Sequence, residues 1–117
     1  MTQEEKDLLL QDLCARLPYK VKVECTFIPE NNGYMCEMSA HSIALISNNE
    51  WSVKPYLRPM SSMTEEERVE YKRLCVNAAI CNDYQQVDYL NSNHFDYRGL
   101  IEKGLALEAP EGMYNIK

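Results

Sequence analysis

Pro55 and Pro59, set in the stretch Trp51-Ser52-Val53-Lys54-Pro55-Tyr56-Leu57-Arg58-Pro59-Met60, constrain this chain more than any other feature. Each fixes φ and removes a backbone donor, so 55–59 reads as neither a helix interior nor a central strand. Just beyond, Thr64 is placed to cap the N–H of Glu67, and the Glu67 carboxylate reaches back toward Thr64. Glu65, Glu66 and Glu67 fall in the first turn of that helix, where the dipole favours negative charge. The stretch therefore ends a sheet, crosses a stiff aromatic-basic bridge over 55–63, and starts a helix at 64.

The residues before the bridge alternate. Thr2-Gln3-Glu4-Glu5 is a capping box, followed by Leu9, Leu10, Leu13, Cys14 and Leu17 at helical spacing, with Asp7, Gln11 and Asp12 on the outer face. Pro18 stops this helix at Leu17. From Tyr19 to Phe27 the pattern has period two, with Tyr19, Val21, Val23, Cys25 and Phe27 on one face. Pro29-Glu30-Asn31-Asn32-Gly33 is a hairpin turn, and Tyr34-Met35-Cys36-Glu37-Met38 resumes the alternation. Ile43-Ala44-Leu45-Ile46 predicts a third strand and Trp51-Ser52-Val53 a fourth. About four short antiparallel strands suit a small curled sheet or an SH3-like barrel, covered by the flanking helices.

Helical spacing returns after Thr64, with Tyr71, Leu74, Cys75 and Ala78 on one face and Arg68, Lys72 and Arg73 opposite. A break is expected at Asn82-Asp83, then a capping box of Asp83 and Gln86 and a helix that turns Tyr84, Val87 and Leu90 inward. Asn91-Ser92-Asn93 ends it. Asp96 is expected to cap a short helix carrying Leu100 and Ile101, closed by Gly104 in the left-handed conformation. Leu105-Ala106-Leu107 docks on the core, and Pro110-Glu111-Gly112 opens a loose tail. The expectation is one α+β domain over 1–117: helix 1–18, antiparallel strands 19–54, bridge 55–63, helices 64–107 and tail 108–117.

Composition narrows the function classes. At 45% hydrophobic residues the chain is not disordered, and its net charge of −6 opposes a phosphate backbone unless a basic face is segregated. Lys20, Lys22, Lys54 and Arg58 with Tyr56 would make such a face, but Glu24, Glu30, Glu37 and Glu50 balance them. The five cysteines (Cys14, Cys25, Cys36, Cys75, Cys81) show no tight pairs, and the polar, acidic N-terminus lacks the pattern of a secretory leader. Free thiols in a cytoplasmic protein are the expectation. No apolar run approaches the roughly 20 residues that span a bilayer.

Three segments resemble a known family: Leu10 to Tyr19 (LQDLCARLPY), Lys54 to Glu67 (KPYLRPMSSMTEEE) and Asp88 to Pro110 (DYLNSNHFDYRGLIEKGLALEAP). Together they cover nearly half the chain. They are similar to small uncharacterised proteins encoded by gut bacteria of the Bacteroides group and by their phages or mobile elements. Relatives more often carry glycine where this chain has Lys20, and many have a longer spacer between the second and third segments. The resemblance implies no activity, cofactor or catalytic residue. It implies a setting, that of an intracellular accessory protein of phage or mobile-element origin.

Site chemistry is sparse. Cys36 and His41 alone approach metal-ligand spacing, and alternation turns Cys36 inward. Five cysteines and two histidines make a chance nucleophile pair easy, and four glycines leave no phosphate-cradling loop. No metal and no cofactor is assigned. Asp96-Tyr97-Arg98-Gly99 is the densest polar cluster, with Asp96 as a cap and Arg98 pairing with Glu102 on the structural reading. The leading class is a non-enzymatic protein-interaction module. The alternatives are a nucleic-acid-associated regulator using the small sheet, and an enzyme whose site the residues do not reveal. A basic stripe along the sheet would favour the first of these, and a deep pocket around His94 or His41 with a perturbed acid the second. The expected partner surface forms where 54–60 meets 94–101 and exposes Tyr56, Arg58, Tyr97 and Arg98, residue types that interface hot spots favour.

Overall fold

The computed structural model describes residues 2–48, 50–78 and 84–114. The elements run α1 (Gln3–Arg16), β1 (Lys22–Phe27), β2 (Asn32–Glu37), α2 (Ala40–Leu45), β3 (Trp51–Pro59), α3 (Glu65–Ala78), α4 (Tyr84–Ser92), β4 (Phe95–Asp96) and β5 (Leu107–Glu108). The class is α+β, with an N-terminal helix, a small mixed sheet and further helices. The expected break at Asn82-Asp83, the Asp83/Gln86 cap and Cys81 lie outside the described residues.

Both expected capping boxes that can be seen are formed. Thr2 Oγ1 accepts from Glu5 N–H at 3.1 Å and Glu5 accepts from Thr2 N–H at 2.8 Å. Thr64 and Glu67 repeat the arrangement at 3.2 and 2.9 Å. The inward face of α1, however, is rotated from the expected one. Leu9, Asp12, Leu13 and Arg16 are buried, whereas Cys14 is exposed and Leu17 is 43% exposed. Asp12 is thus an interior residue, and the reason is the arginine one turn on, which pairs with it inside the fold.

The sheet order is β2-β1-β3-β4, with β5 also on β3; β1 pairs antiparallel with β2 and β3, whereas β4 and β5 run parallel to β3. The sheet is therefore not a four-stranded antiparallel meander ending at 54. β3 continues through both prolines, and ladder geometry explains how. Ile28 N–H donates to the Glu50 carbonyl at 2.8 Å, one step beyond a register that runs from Phe27↔Trp51 to Val23↔Pro55. Even-numbered β3 residues therefore point their backbone groups at β1, so the donor that Pro55 lacks would face the other side. There β5 begins pairing only at Tyr56. A proline is excluded from a donating position in a ladder, not from a strand.

The expected third strand is α2. Ser39 leads in with φ −140 and ψ 176, and Ile43 N–H donates to its carbonyl at 3.1 Å. A four-residue apolar run does not separate strand from helix, and Ala and Leu favour the helix once a lead-in is present. Nor does 95–104 form a helix. The Asp96 carboxylate does cap, accepting from Leu100 N–H (2.8 Å) and Ile101 N–H (3.0 Å), but the residues it caps form a turn closed by Gly104 at φ 75. Val87, expected inward, is 39% exposed.

The main core joins Leu9 and Leu13 of α1 to Val21, Val23 and Cys25, to Val53 and Leu57, and to Leu100 and Leu105. A second cluster of Met63, Leu90 and Phe95 sits under α3 and α4. The segment leading to Tyr114 is pinned rather than loose, because Tyr114 Oη donates to the Tyr56 carbonyl at 2.7 Å and accepts from Lys22 N–H at 2.9 Å. Lys20, at φ 55, occupies a left-handed turn between α1 and β1, where glycine would be unstrained.

Candidate functional site

The expected meeting of 54–60 with 94–101 is formed by the β3–β4 pairing, with Arg58 opposite Phe95 and Pro59 opposite Asp96. A buried polar node gathers there. Asp12, fully buried, accepts from Arg16 Nε at 2.8 Å, Arg16 Nη2 at 3.1 Å and Arg98 Nε at 3.1 Å. Arg16 Nη2 also donates to the Phe95 carbonyl at 2.6 Å. The Arg16 and Arg98 guanidiniums both lie over the Tyr97 ring, 5.3 and 5.0 Å from its centroid.

Arg58 builds the second half. It is 6% exposed, donates through Nη1 (2.8 Å) and Nη2 (2.7 Å) to the two Glu67 oxygens, and stacks over Phe95 at 4.2 Å. Its bonds hold the Glu67 carboxyl below the usual carboxylate range. Glu67 in turn caps Thr64, so one carboxylate ties β3 to the start of α3.

Of the four residues expected on an exposed surface, Arg58 is a correction, because its guanidinium is committed inside the fold. Tyr56, Tyr97 and Arg98 are half-buried. Arg98 pairs with Asp12 rather than with Glu102. Burial, and then Glu24, push the Tyr56 hydroxyl pKa up.

His94 stacks on Tyr114 with centroids 3.9 Å apart. Burial, then the Arg16 and Arg58 charges, push its pKa down to about 4, and burial pushes Tyr114 up to about 12. Arg16 Nη1, Asn91 Oδ1 and His94 Nδ1 are buried with no hydrogen-bond partner among the described residues. On the surface beside the node, Arg58, Pro59, Ser62, Glu108, Pro110 and Tyr114 are among the residues lining a pocket of about 300 Å³. Among the described residues, no group of three or more His, Cys, Asp or Glu is placed to hold a metal ion. Cys36 lies 4.0 Å from Ser42 Oγ, and His41 is exposed on α2.

A different surface lies at the far end of the sheet. Phe27, at the end of β1, and Trp51, at the start of β3, are register partners with ring centroids 5.2 Å apart. Tyr34 meets Trp51 edge-on at 6.2 Å. With Glu30, Asn32 and Gly33 these rings line a shallow depression of about 480 Å³. Beside it Ile28 (54%), Tyr34 (45%) and Met35 (53%) are exposed. A Cβ at Gly33 would meet Thr26 Oγ1 at 2.8 Å, so a side chain there would require the Thr26 hydroxyl to move. Sequence reading missed this cluster. The available signal was two aromatics, Phe27 and Trp51, at opposite ends of the connection between adjacent strands.

Along the outer face of the sheet, Lys22 pairs with Glu37 and Glu24 with Lys54. Charge alternates there rather than forming a basic stripe. No described helix is long and apolar enough to cross a membrane. Compared with known proteins, the chain matches no family model, no curated protein and no solved structure.

Proposed function

We propose that this protein is a non-enzymatic protein-interaction module that engages its partner through the aromatic end of the β1–β2 hairpin. The observation that carries this reading is the open cluster of Phe27, Tyr34 and Trp51 with Ile28 and Met35 exposed beside it. Trp and Tyr are residues that dominate interface energetics, and ring-on-ring packing fixes them before a partner arrives. Two of the rings are held by a sheet register and the third by a hairpin, so little ordering remains on binding. The intracellular, phage or mobile-element setting rests on the three resembling segments, two of which form the β3–β4 pairing at the polar node.

The test is quantitative affinity capture from Bacteroides-group lysate with wild type, an Ile28→Ser/Tyr34→Ala variant and a Val69→Ser control. Val69 is 60% exposed on α3, away from the hairpin. A partner bound stoichiometrically by wild type and control, then lost from the folded hairpin variant, is the expected result. Equal capture by all three proteins refutes the hairpin surface.

A further inference from the structure

We infer that the open edge of β2 pairs with β2 of a second copy of this chain, forming a two-fold dimer centred on Met35. Among the described residues β2 is paired only through β1. The ladder fixes which backbone groups are free. Met38 N–H donates to the Val21 carbonyl at 2.8 Å, one step beyond the Lys22↔Glu37 pair. Even-numbered residues of β2 therefore bond to β1, and the N–H and C=O groups of Gly33, Met35 and Glu37 point away from it.

Edge strands are ordinarily blunted by Lys, Pro or inward charges. From Asn32 to Cys36 this strand has none, and every β2 residue except Cys36 is exposed. A strand that pairs antiparallel with its own copy about a two-fold axis must place one residue opposite itself. With Met35 on the axis, all three outward residues find outward partners: Met35 with Met35, and Gly33 with Glu37 on both sides. That register forms about six backbone hydrogen bonds; centring on Tyr34 or Cys36 leaves an outward residue of the strand unmatched within it. It sets no like charges opposite each other, because the strand's one charge, Glu37, faces glycine. On the other face Tyr34 meets Cys36 of the second copy. The inference goes beyond the partner reading, since it concerns the edge of β2 and holds whether or not a foreign protein covers the aromatic depression.

Light scattering and sedimentation across a concentration series test it. A single-strand interface is small, so dissociation on the order of 10–100 µM is expected, with a limiting mass twice the 13.6 kDa chain. Met35→Pro removes an outward donor without deleting a β1–β2 hydrogen bond, and Met35→Lys places two positive charges on the axis; both are expected to stay folded and to lose the dimer. As a positive measurement, Met35→Cys in a Cys14→Ser/Cys75→Ser background is expected to cross-link across the axis under mild oxidation, while its Met35 parent does not. Directly opposed residues in such a pair sit roughly 5.5 Å apart at Cα, inside the disulfide range. A wild type that stays monomeric throughout, or a dimer that survives in both Met35→Pro and Met35→Lys, overturns the inference. Neither result bears on capture through Ile28, which lies outside β2.

Discussion

Replacing Asp12 by Ala should be among the most damaging single changes available to this protein. The carboxylate accepts three charge-assisted bonds, at 2.8 and 3.1 Å from Arg16 and at 3.1 Å from Arg98. Without it Arg16, fully buried, keeps one bond to the Phe95 carbonyl, and its Nη1 already lacks a partner among the described residues. Stranding one member of a buried ion pair costs about 3–5 kcal/mol. In a domain of this size that lowers the melting temperature by roughly 12–20 °C. Arg98→Ala is the internal comparison. It leaves the Asp12–Arg16 fork intact and removes a side chain that is 22% exposed, so about 1 kcal/mol is expected. Asp12→Leu combined with Arg16→Met should recover most of the loss, because a packed apolar pair needs no desolvated charge. Urea and thermal unfolding, followed by Trp51 fluorescence and circular dichroism, measure all three. An Asp12→Ala loss below about 1 kcal/mol, or an Arg98→Ala loss equal to it, would refute the reasoning.

Two further outcomes rest on the same node. Arg58→Ala should cost about 3–5 kcal/mol by leaving Glu67 buried and unpaired, so a quadruple Tyr56/Arg58/Tyr97/Arg98 alanine variant should be badly destabilised, as chemical denaturation would show. His94 is held neutral in the fold, with its pKa lowered from 6.5 to about 4, so the stability it protects is complete above pH 6.5 and drains away between 6.5 and 4. Because the ring is only half-buried, about 1–2 kcal/mol is expected after solvent screening. His94→Asn tolerates the φ of 64 and should flatten that part of the pH–stability curve, while the Glu67 loss, which begins only below 4.5, persists.

The parts of the fold that were legible in the sequence are those set by local chemistry. Capping boxes at Thr2 and Thr64, the stop at Leu17 and the left-handed Gly104 each depend on residues within a few positions of one another. The prolines misled because their exclusion depends on which side of the strand their missing donor faces. That side is set by pairing with β1, some 30 residues away, and by where β5 begins. The α2 segment misled for a complementary reason: four apolar residues carry too few periods to distinguish 2 from 3.6.

The candidate sites were legible in inverse proportion to how much they depend on a neighbouring layer. Arg58 looked like a surface residue because a basic side chain beside prolines ordinarily is, yet Glu67 draws it inward through a capping role that the sequence did show. Following that carboxylate further would have led to the arginine, since a capping Glu at a buried helix start has a spare oxygen to satisfy. The same logic identifies Asp12: an acid four residues before an arginine, between Leu9 and Leu13, belongs inside only if the arginine goes in with it. The hairpin rings present the opposite case. Phe27 and Tyr34 fall on the same face as the core residues Val23 and Cys25, so the pattern assigns them to the interior. They stay accessible because the core that joins Leu9 and Leu13 of α1 to Val21, Val23 and Cys25 does not take in Phe27 or Tyr34. The face is continued by the sheet and left open by the helix layer, and no periodicity within the strand carries that length.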